Sequence, residues 1–178
     1  MRYAQIRQFD VANGEGIRVS VFVTGCTHKC PECFNELYQD FAYGDEWTED
    51  TTELLLSYLR NPAVSGLTLL GGEPMQNTWL TSVIRRVREE LPANKNIWIY
   101  SGYTYEQILA NDSRRELLEL CDILVDGLFE VDRLNLKLRF RGSENQRVID
   151  IKSSLDTGKV VLYPLSGDLY QDPAVISS

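Results

Sequence analysis

Along the chain, apolar residues fall into short β-branched runs separated by stretches where they recur at helical spacing. Ile17 to Thr24 (Ile-Arg-Val-Ser-Val-Phe-Val-Thr) predicts a first strand, with Gly25 turning out of it. From Thr52 to Arg60, Leu54, Leu55, Tyr58 and Leu59 recur as on one helix, which Asn61-Pro62 stops. Leu67 to Leu70 is a short buried strand closing on Gly71-Gly72. Over Thr78 to Leu91, residues Leu80, Val83, Ile84, Val87 and Leu91 share one face, while Arg85, Arg88 and Glu89 fall elsewhere. That predicts an amphipathic helix with Asn77 as N-cap and Pro92 beyond its end. Ile97 to Tyr100 is the next strand. Thr104 with Gln107 has capping-box spacing, and Ser113 with Glu116 repeats it after an Asn-Asp interruption. Ile123 to Val125 is another strand, ending at Asp126-Gly127, and Val148 to Ile151 is a further one. The tail after Ser166 has little pattern, and residues 167–178 are expected to be loosely ordered.

Strands and helices in alternation predict an α/β fold with a parallel sheet and helical crossovers. A doubly wound open sheet and a barrel of β/α units both satisfy the pattern. A full eight-unit barrel takes about 250 residues, so a single domain over residues 1–178 supplies only part of one. The cysteine loop, Gly71-Gly72-Glu73-Pro74, Ser101-Gly102 and Asp126-Gly127 all follow strand C-termini. In either architecture that edge carries the site, so these loops are expected to form one active site.

Charge and composition narrow the partners. With 18 basic against 26 acidic residues the net charge is −8, which argues against nucleic acid as the main partner. No apolar run approaches a membrane span, and the N-terminal Met1 to Asp10 lacks a signal-peptide core. Four cysteines, three of them in one loop, do not form a secreted disulfide framework. The expected compartment is a reducing cytoplasm.

Candidate chemistry concentrates in Thr24-Gly25-Cys26-Thr27-His28-Lys29-Cys30-Pro31-Glu32-Cys33-Phe34-Asn35. Iron–sulfur clusters are commonly tied by four thiolates. A loop with only three leaves one iron for a ligand that is not protein, and an open metal position is a feature of catalytic sites. A structural zinc site is the alternative. Zinc takes four N or S ligands, commonly as two separated pairs, and no second Cys-Cys or His-His pair exists here. His28, the only histidine, lies between two of the cysteines where ring closure is cramped, and reads as an exposed loop residue. Cys121, between Leu120 and the apolar Ile123 to Val125, reads as a buried, inert thiol. Trp47, Trp79 and Trp98 read as packing residues.

Cys26-x3-Cys30-x2-Cys33 after one strand, then Gly71-Gly72-Glu73-Pro74 after the next, resembles the radical S-adenosylmethionine superfamily. Asn13-Gly14-Glu15-Gly16-Ile17-Arg18, leading into Val21-Phe22-Val23-Thr24-Gly25-Cys26, is similar to the activating enzymes of glycyl-radical enzymes. Cys33-Phe34-Asn35, Val125-Asp126-Gly127 and Arg141-Gly142-Ser143-Glu144-Asn145-Gln146 narrow the resemblance to the activators of anaerobic (class III) ribonucleotide reductases. It runs from about Tyr3 to Ile151.

This resemblance implies an incomplete, TIM-like β/α barrel of parallel strands. It implies a 4Fe-4S cluster on Cys26, Cys30 and Cys33 whose open iron is chelated by the amino and carboxylate groups of S-adenosyl-L-methionine. One electron from the cluster would cleave the sulfonium, and the 5′-deoxyadenosyl radical would take hydrogen from a glycine of the large reductase subunit. Gly71 and Gly72 would let backbone approach the methionine moiety, and Glu73 would meet its ammonium group. The backbone around Glu32, Cys33 and Phe34 would contact the adenine. Many superfamily members carry an aromatic residue just before the third cysteine; here Glu32 stands there and Phe34 follows. Asp126 would position ribose or substrate, with Asn35, Tyr100 and Ser101 in the same pocket. Arg139 and Arg141 would touch the cofactor carboxylate or the partner protein. A flavodoxin-like or other low-potential donor would supply the electron. Other readings stay open: an activase of another glycyl-radical enzyme such as pyruvate formate-lyase, a radical enzyme for a small molecule, or a non-enzymatic metal-binding module.

Overall fold

The computed structural model describes residues 1–165 and lays seven strands into one mixed sheet. They are β1 (Arg2–Asp10), β2 (Arg18–Val23), β3 (Asp45–Glu46), β4 (Gly66–Gly71), β5 (Asn96–Tyr100), β6 (Ile123–Asp126) and β7 (Arg147–Asp150). Their spatial order is β3-β1-β2-β4-β5-β6-β7. Pairs β2/β4, β4/β5 and β5/β6 are parallel, as the alternation predicts. Helices α1 (Glu49–Leu59), α2 (Leu80–Glu90), α3 (Tyr105–Leu109) and α4 (Asp112–Glu119) make the crossovers, and α5 (Ile151–Thr157) follows β7.

Both edges correct the expectation of an all-parallel sheet. Strand β1 runs antiparallel to β2, β3 antiparallel to β1, and β7 antiparallel to β6. The apolar pattern does not announce β1, because Arg2, Gln5, Arg7 and Gln8 interrupt it and the strand is only partly covered. The loosely ordered tail expected at 167–178 lies outside the described residues. Among the described residues, no helix is long and apolar enough to cross a membrane.

Local hydrogen bonds decide where helices begin. Helix α1 starts earlier than its leucine spacing predicts, because Thr48 and Thr51 form a reciprocal capping box at 3.3 Å. The Thr104–Gln107 box opens α3 as predicted. Asn111, not Ser113, caps α4, its Oδ1 accepting from the Arg114 amide at 3.1 Å. The Asn77 side chain does not cap α2; its Nδ2 donates to the Glu73 carbonyl at 2.9 Å and its Oδ1 accepts from Trp79 Nε1.

Alternation along the parallel strands creates two unlike faces. Val19, Val21, Val23, Leu67, Leu69, Ile97, Ile99 and Leu124 pack with Leu55, Leu59, Leu80, Ile84, Ile108 and Leu117 of the helices. Trp98, Ile123, Val125 and Val148 belong to a smaller cluster shared with Leu165, Phe140 and Tyr163. Helices therefore shield one face, and loops and terminal segments the other.

The loop-covered face holds an unusual core residue. Arg18, fully buried, donates to Thr68 Oγ1 (2.6 Å), Asn96 Oδ1 (2.8 Å), Leu67 O (2.6 Å) and Glu15 O (3.0 Å). Its guanidinium lies 5.5 Å from the Trp98 ring centroid. Every one of these acceptors is neutral, so hydrogen bonds and the ring, rather than an ion pair, satisfy the charge. Burial pulls its pKa down to about 10, which still leaves it charged at neutral pH. The side chain thereby fastens the starting ends of β2, β4 and β5 together. Arg18→Met is expected to destabilise the cluster-free protein by about 2–4 kcal/mol, since it strips the donor from buried acceptors. A shifted urea midpoint at unchanged slope checks this.

Candidate functional site

Because β2, β4, β5 and β6 are parallel, the loops after them open on one edge of the sheet. Between those loops lies a cavity of about 700 Å³, within the usual range for a small-molecule site. Cys26, Cys30, Cys33 and Phe34 line it from the first loop, and Gly71, Gly72 and Glu73 from the second. Asn35, Tyr100, Ser101 and Arg141 also line it.

The cysteine loop is held at its start by amides of Gly25 and Cys26 donating to Tyr38 O (2.8 Å) and Gln39 O (3.0 Å). Lys29 and Glu32, immediately before Cys30 and Cys33, both adopt left-handed backbone conformations with φ of 53°. Each costs a side-chain-bearing residue about 1 kcal/mol, and each turns the chain sharply. The result is three half-buried thiols facing one cavity. Burial pushes the Cys26 and Cys30 thiols up, and the neighbouring cysteines and Glu73 push the same way. The Cys26 and Cys30 thiolates therefore resist forming without a nearby cation. Cys121 is different: it is buried, its Sγ donates to Leu117 O at 3.4 Å, and burial raises its pKa strongly.

Glycine is required where β4 meets this loop. Gly71 has φ of +108°, and a Cβ there would stand 2.6 Å from Val23 O. A Cβ on Gly72 would stand 2.7 Å from Gly25 O and 2.8 Å from Tyr38 O. The Gly-Gly pair thus lets the end of β4 lie directly against the cysteine loop. Next to it, Glu73 is 1% exposed and its carboxylate is surrounded by donors. Oε1 accepts from the Met75 amide (2.9 Å) and Ser101 Oγ (2.8 Å). Oε2 accepts from the Gly102 amide (2.7 Å) and His28 Nε2 (2.9 Å).

His28 therefore is not the exposed loop residue its position suggests. Its side chain is 15% exposed, bonded to Glu73 and edge-on to Tyr103 with centroids 4.5 Å apart. Gln76 adds a second tie. It accepts from the Thr27 amide (3.0 Å) and donates to Thr27 Oγ1 (2.8 Å) and Tyr103 Oη (2.9 Å).

Comparison with known proteins decides what this arrangement belongs to. The 4Fe-4S single cluster domain family matches residues 12–149, from the loop before β2 into β7. Several curated relatives are named anaerobic ribonucleoside-triphosphate reductase-activating protein. That of Pasteurella multocida is 37% identical over 151 residues, covering 82% of this chain and 95% of the relative. That of Enterobacteria phage T4 is 38% identical, covering 83% and 93%. That of Escherichia coli K12 is 33% identical over 153 residues, covering 83% and 97%. The chain belongs to the anaerobic ribonucleoside-triphosphate reductase-activating protein family.

The donor set of this family member fits a 4Fe-4S cluster: three thiols on one wall, beside open space and close to a rigid turn. Among the described residues, no three His, Cys, Asp or Glu side chains converge tightly enough to hold a single metal ion. A cubic cluster asks for a wider set, because each thiolate takes a different iron. Tyr100 lines the cavity, and its hydroxyl is buried without a hydrogen-bond partner among the described residues.

Other expected site residues fall at graded distances from the cavity. Phe34 is 70% exposed at the mouth, its ring 4.9 Å from that of Phe129. Glu32 is exposed and not among the lining residues. Arg139 lies over Phe140 at 4.9 Å. Asp126 is 1% exposed and also absent from the lining; Arg147 Nε (3.0 Å) and Nη2 (2.5 Å) and the Tyr105 amide (2.7 Å) engage its carboxylate. The Arg141–Gln146 stretch gains a physical role. Gln146 Nε2 donates to Gly127 O (2.9 Å), Asn145 Nδ2 to Leu128 O (2.7 Å), and Ser143 Oγ accepts from the Glu130 amide (3.1 Å). It fastens the loop that carries Phe129 over the cavity.

A metal bound by Cys26 and Cys30 would have to displace the protons that burial holds on them, so a lower proton concentration would favour loading. Cluster reconstitution of the cluster-free protein is expected to release protons and to speed up severalfold between about pH 7 and about pH 9. Iron uptake followed by absorbance, with an unbuffered proton-release trace, checks this.

Proposed function

We propose that this chain activates an anaerobic ribonucleotide reductase through a 4Fe-4S cluster on Cys26, Cys30 and Cys33 and S-adenosyl-L-methionine bound beside it. The observation that carries this reading is a single cavity walled by three half-buried thiols on one side and Gly71-Gly72-Glu73 on the other. When bound, the reduced cluster supplies the electron that splits S-adenosylmethionine into methionine and a 5′-deoxyadenosyl radical able to take hydrogen from a reductase glycine.

The chain's own residues bind, orient and exclude. The three thiolates would hold the cluster and leave one iron open to the cofactor. Gly71 and Gly72 would let backbone approach its methionine moiety, and Glu73 would offer a carboxylate toward its amino group. Phe34, with the backbone of Glu32 and Cys33, borders the adenine, and Tyr100 offers its unpartnered hydroxyl. Asp126 acts at one remove, holding Arg147 and the start of α3 and so setting Gly127 at the cavity edge. Arg139 and Arg141 face cofactor carboxylate or partner.

With helices over one face only, we read the sheet as an incomplete TIM-like β/α barrel. Its open side suits a polypeptide loop that enters and excludes water as it docks. The reaction belongs in the cytoplasm, with a flavodoxin-like or other low-potential donor.

An anaerobic mixture of reconstituted protein, S-adenosylmethionine, a low-potential reductant and the candidate reductase is expected to give a glycyl-radical doublet by electron paramagnetic resonance. Cys26→Ala is expected to abolish it. Formation of 5′-deoxyadenosine with a doublet on pyruvate formate-lyase, and none on the reductase, would overturn the partner assignment.

A further inference from the structure

Glu73 presents a conflict in the site as it stands. An ionised carboxylate has two oxygens and about four lone-pair positions. Four donors already fill them, two on each oxygen: Met75 N and Ser101 Oγ, Gly102 N and His28 Nε2. An arriving amino group therefore finds no vacant acceptor on Glu73. One donor has to leave.

The four donors are not equally able to do so. The amides of Met75 and Gly102 are fixed by the backbone. Ser101 is buried, and its Oγ also accepts from the Tyr103 amide at 3.0 Å. His28 reaches Glu73 on a longer side chain with two rotatable torsions, from the cysteine loop. It also has somewhere to go. A second cavity of about 360 Å³, lined by Lys29, Pro31, Leu128, Glu130, Val131 and Asp132, adjoins the first, and His28 is among the residues lining both.

We propose that His28 is a positioning residue that occupies, on Glu73 Oε2, the acceptor position taken by an amino N–H of S-adenosylmethionine, and yields it by turning toward the second cavity. The inference rests on the function proposed above and adds an exchange of donors to it. Before the cofactor arrives, His28 keeps a buried carboxylate satisfied and draws the cysteine loop onto the loop after β4. The Gln76 bonds to Thr27 and Tyr103 keep those loops joined when the ring leaves. In this contact the ring donates Nε2–H, since a carboxylate only accepts.

The single histidine of the chain makes the exchange directly observable. The full chain, cluster-loaded and oxidised, is labelled with nitrogen-15 histidine. Saturating S-adenosylmethionine or S-adenosylhomocysteine is expected to move the Nε2 resonance away from its hydrogen-bonded position. Methylthioadenosine, which lacks the amino-acid portion, is expected to leave it in place. By equilibrium dialysis, His28→Ala is expected to bind S-adenosylmethionine about three- to tenfold more tightly, by loss of a competing donor. His28→Gln, which restores a neutral donor, is expected to stay within about twofold of the native protein. An unmoved resonance at saturation, or an Ala variant that binds more weakly while retaining its cluster, overturns the exchange and leaves the proposed function intact. Failure of the native cluster-loaded protein to bind S-adenosylmethionine at all overturns both.

Discussion

The buried carboxylate of Glu73 is the point on which the site's geometry depends. It gathers donors from three chain segments: its own turn after β4, the loop after β5 through Ser101 and Gly102, and the cysteine loop through His28. A charge that is 1% exposed persists only when its lone pairs are met. The three loops are therefore obliged to converge, and the cavity between them follows. Gly71 and Gly72 make the convergence sterically possible, because any Cβ there would strike the backbone of β2 or the cysteine loop. Without those glycines the donors would not reach the carboxylate.

The rest of the fold serves to leave that convergence open on one side. Helices α1, α2, α3 and α4 join one apolar cluster with the outward residues of β2, β4 and β5. The opposite face holds Arg18, Thr68, Trp98 and Tyr100, a polar and aromatic set that a helix would not cover well. Arg18 ties strand starts together at the far end of the sheet, while the loops at the near end carry the chemistry. The Arg18 hydrogen bonds lie at one end of these strands and the cavity at the other. A polypeptide substrate needs such an open mouth, whereas a small molecule is better enclosed.

Much of this was legible from residue order alone. The β-branched run at Ile17 to Thr24, the amphipathic stripe through Leu80, Ile84 and Val87, and the Thr104–Gln107 box carry strong local signals, and each element formed where the pattern puts it. The cysteine spacing and Gly71-Gly72-Glu73-Pro74 marked two walls of one cavity. Strand β1 was illegible because a partly covered edge strand tolerates Arg and Gln at many positions. The antiparallel direction of β7 could not be read from Val148 and Ile149, since strand direction depends on the long loop that precedes them. His28 was misplaced for a related reason. Its partner lies 45 residues away, and no local pattern reports that a glutamate will be buried there with one donor missing. Asp126 shows the reverse case, a residue expected to position ribose or substrate that is absent from the cavity wall, its carboxylate held by Arg147, 21 positions on.

The most direct measurement is Mössbauer spectroscopy of the iron-57-reconstituted protein, recorded with and without S-adenosylmethionine. A cluster held by Cys26, Cys30 and Cys33 is expected to contain one iron whose signal separates from the others when the cofactor is added. Iron sites that all remain unchanged at saturating S-adenosylmethionine would contradict the three-cysteine, open-iron centre.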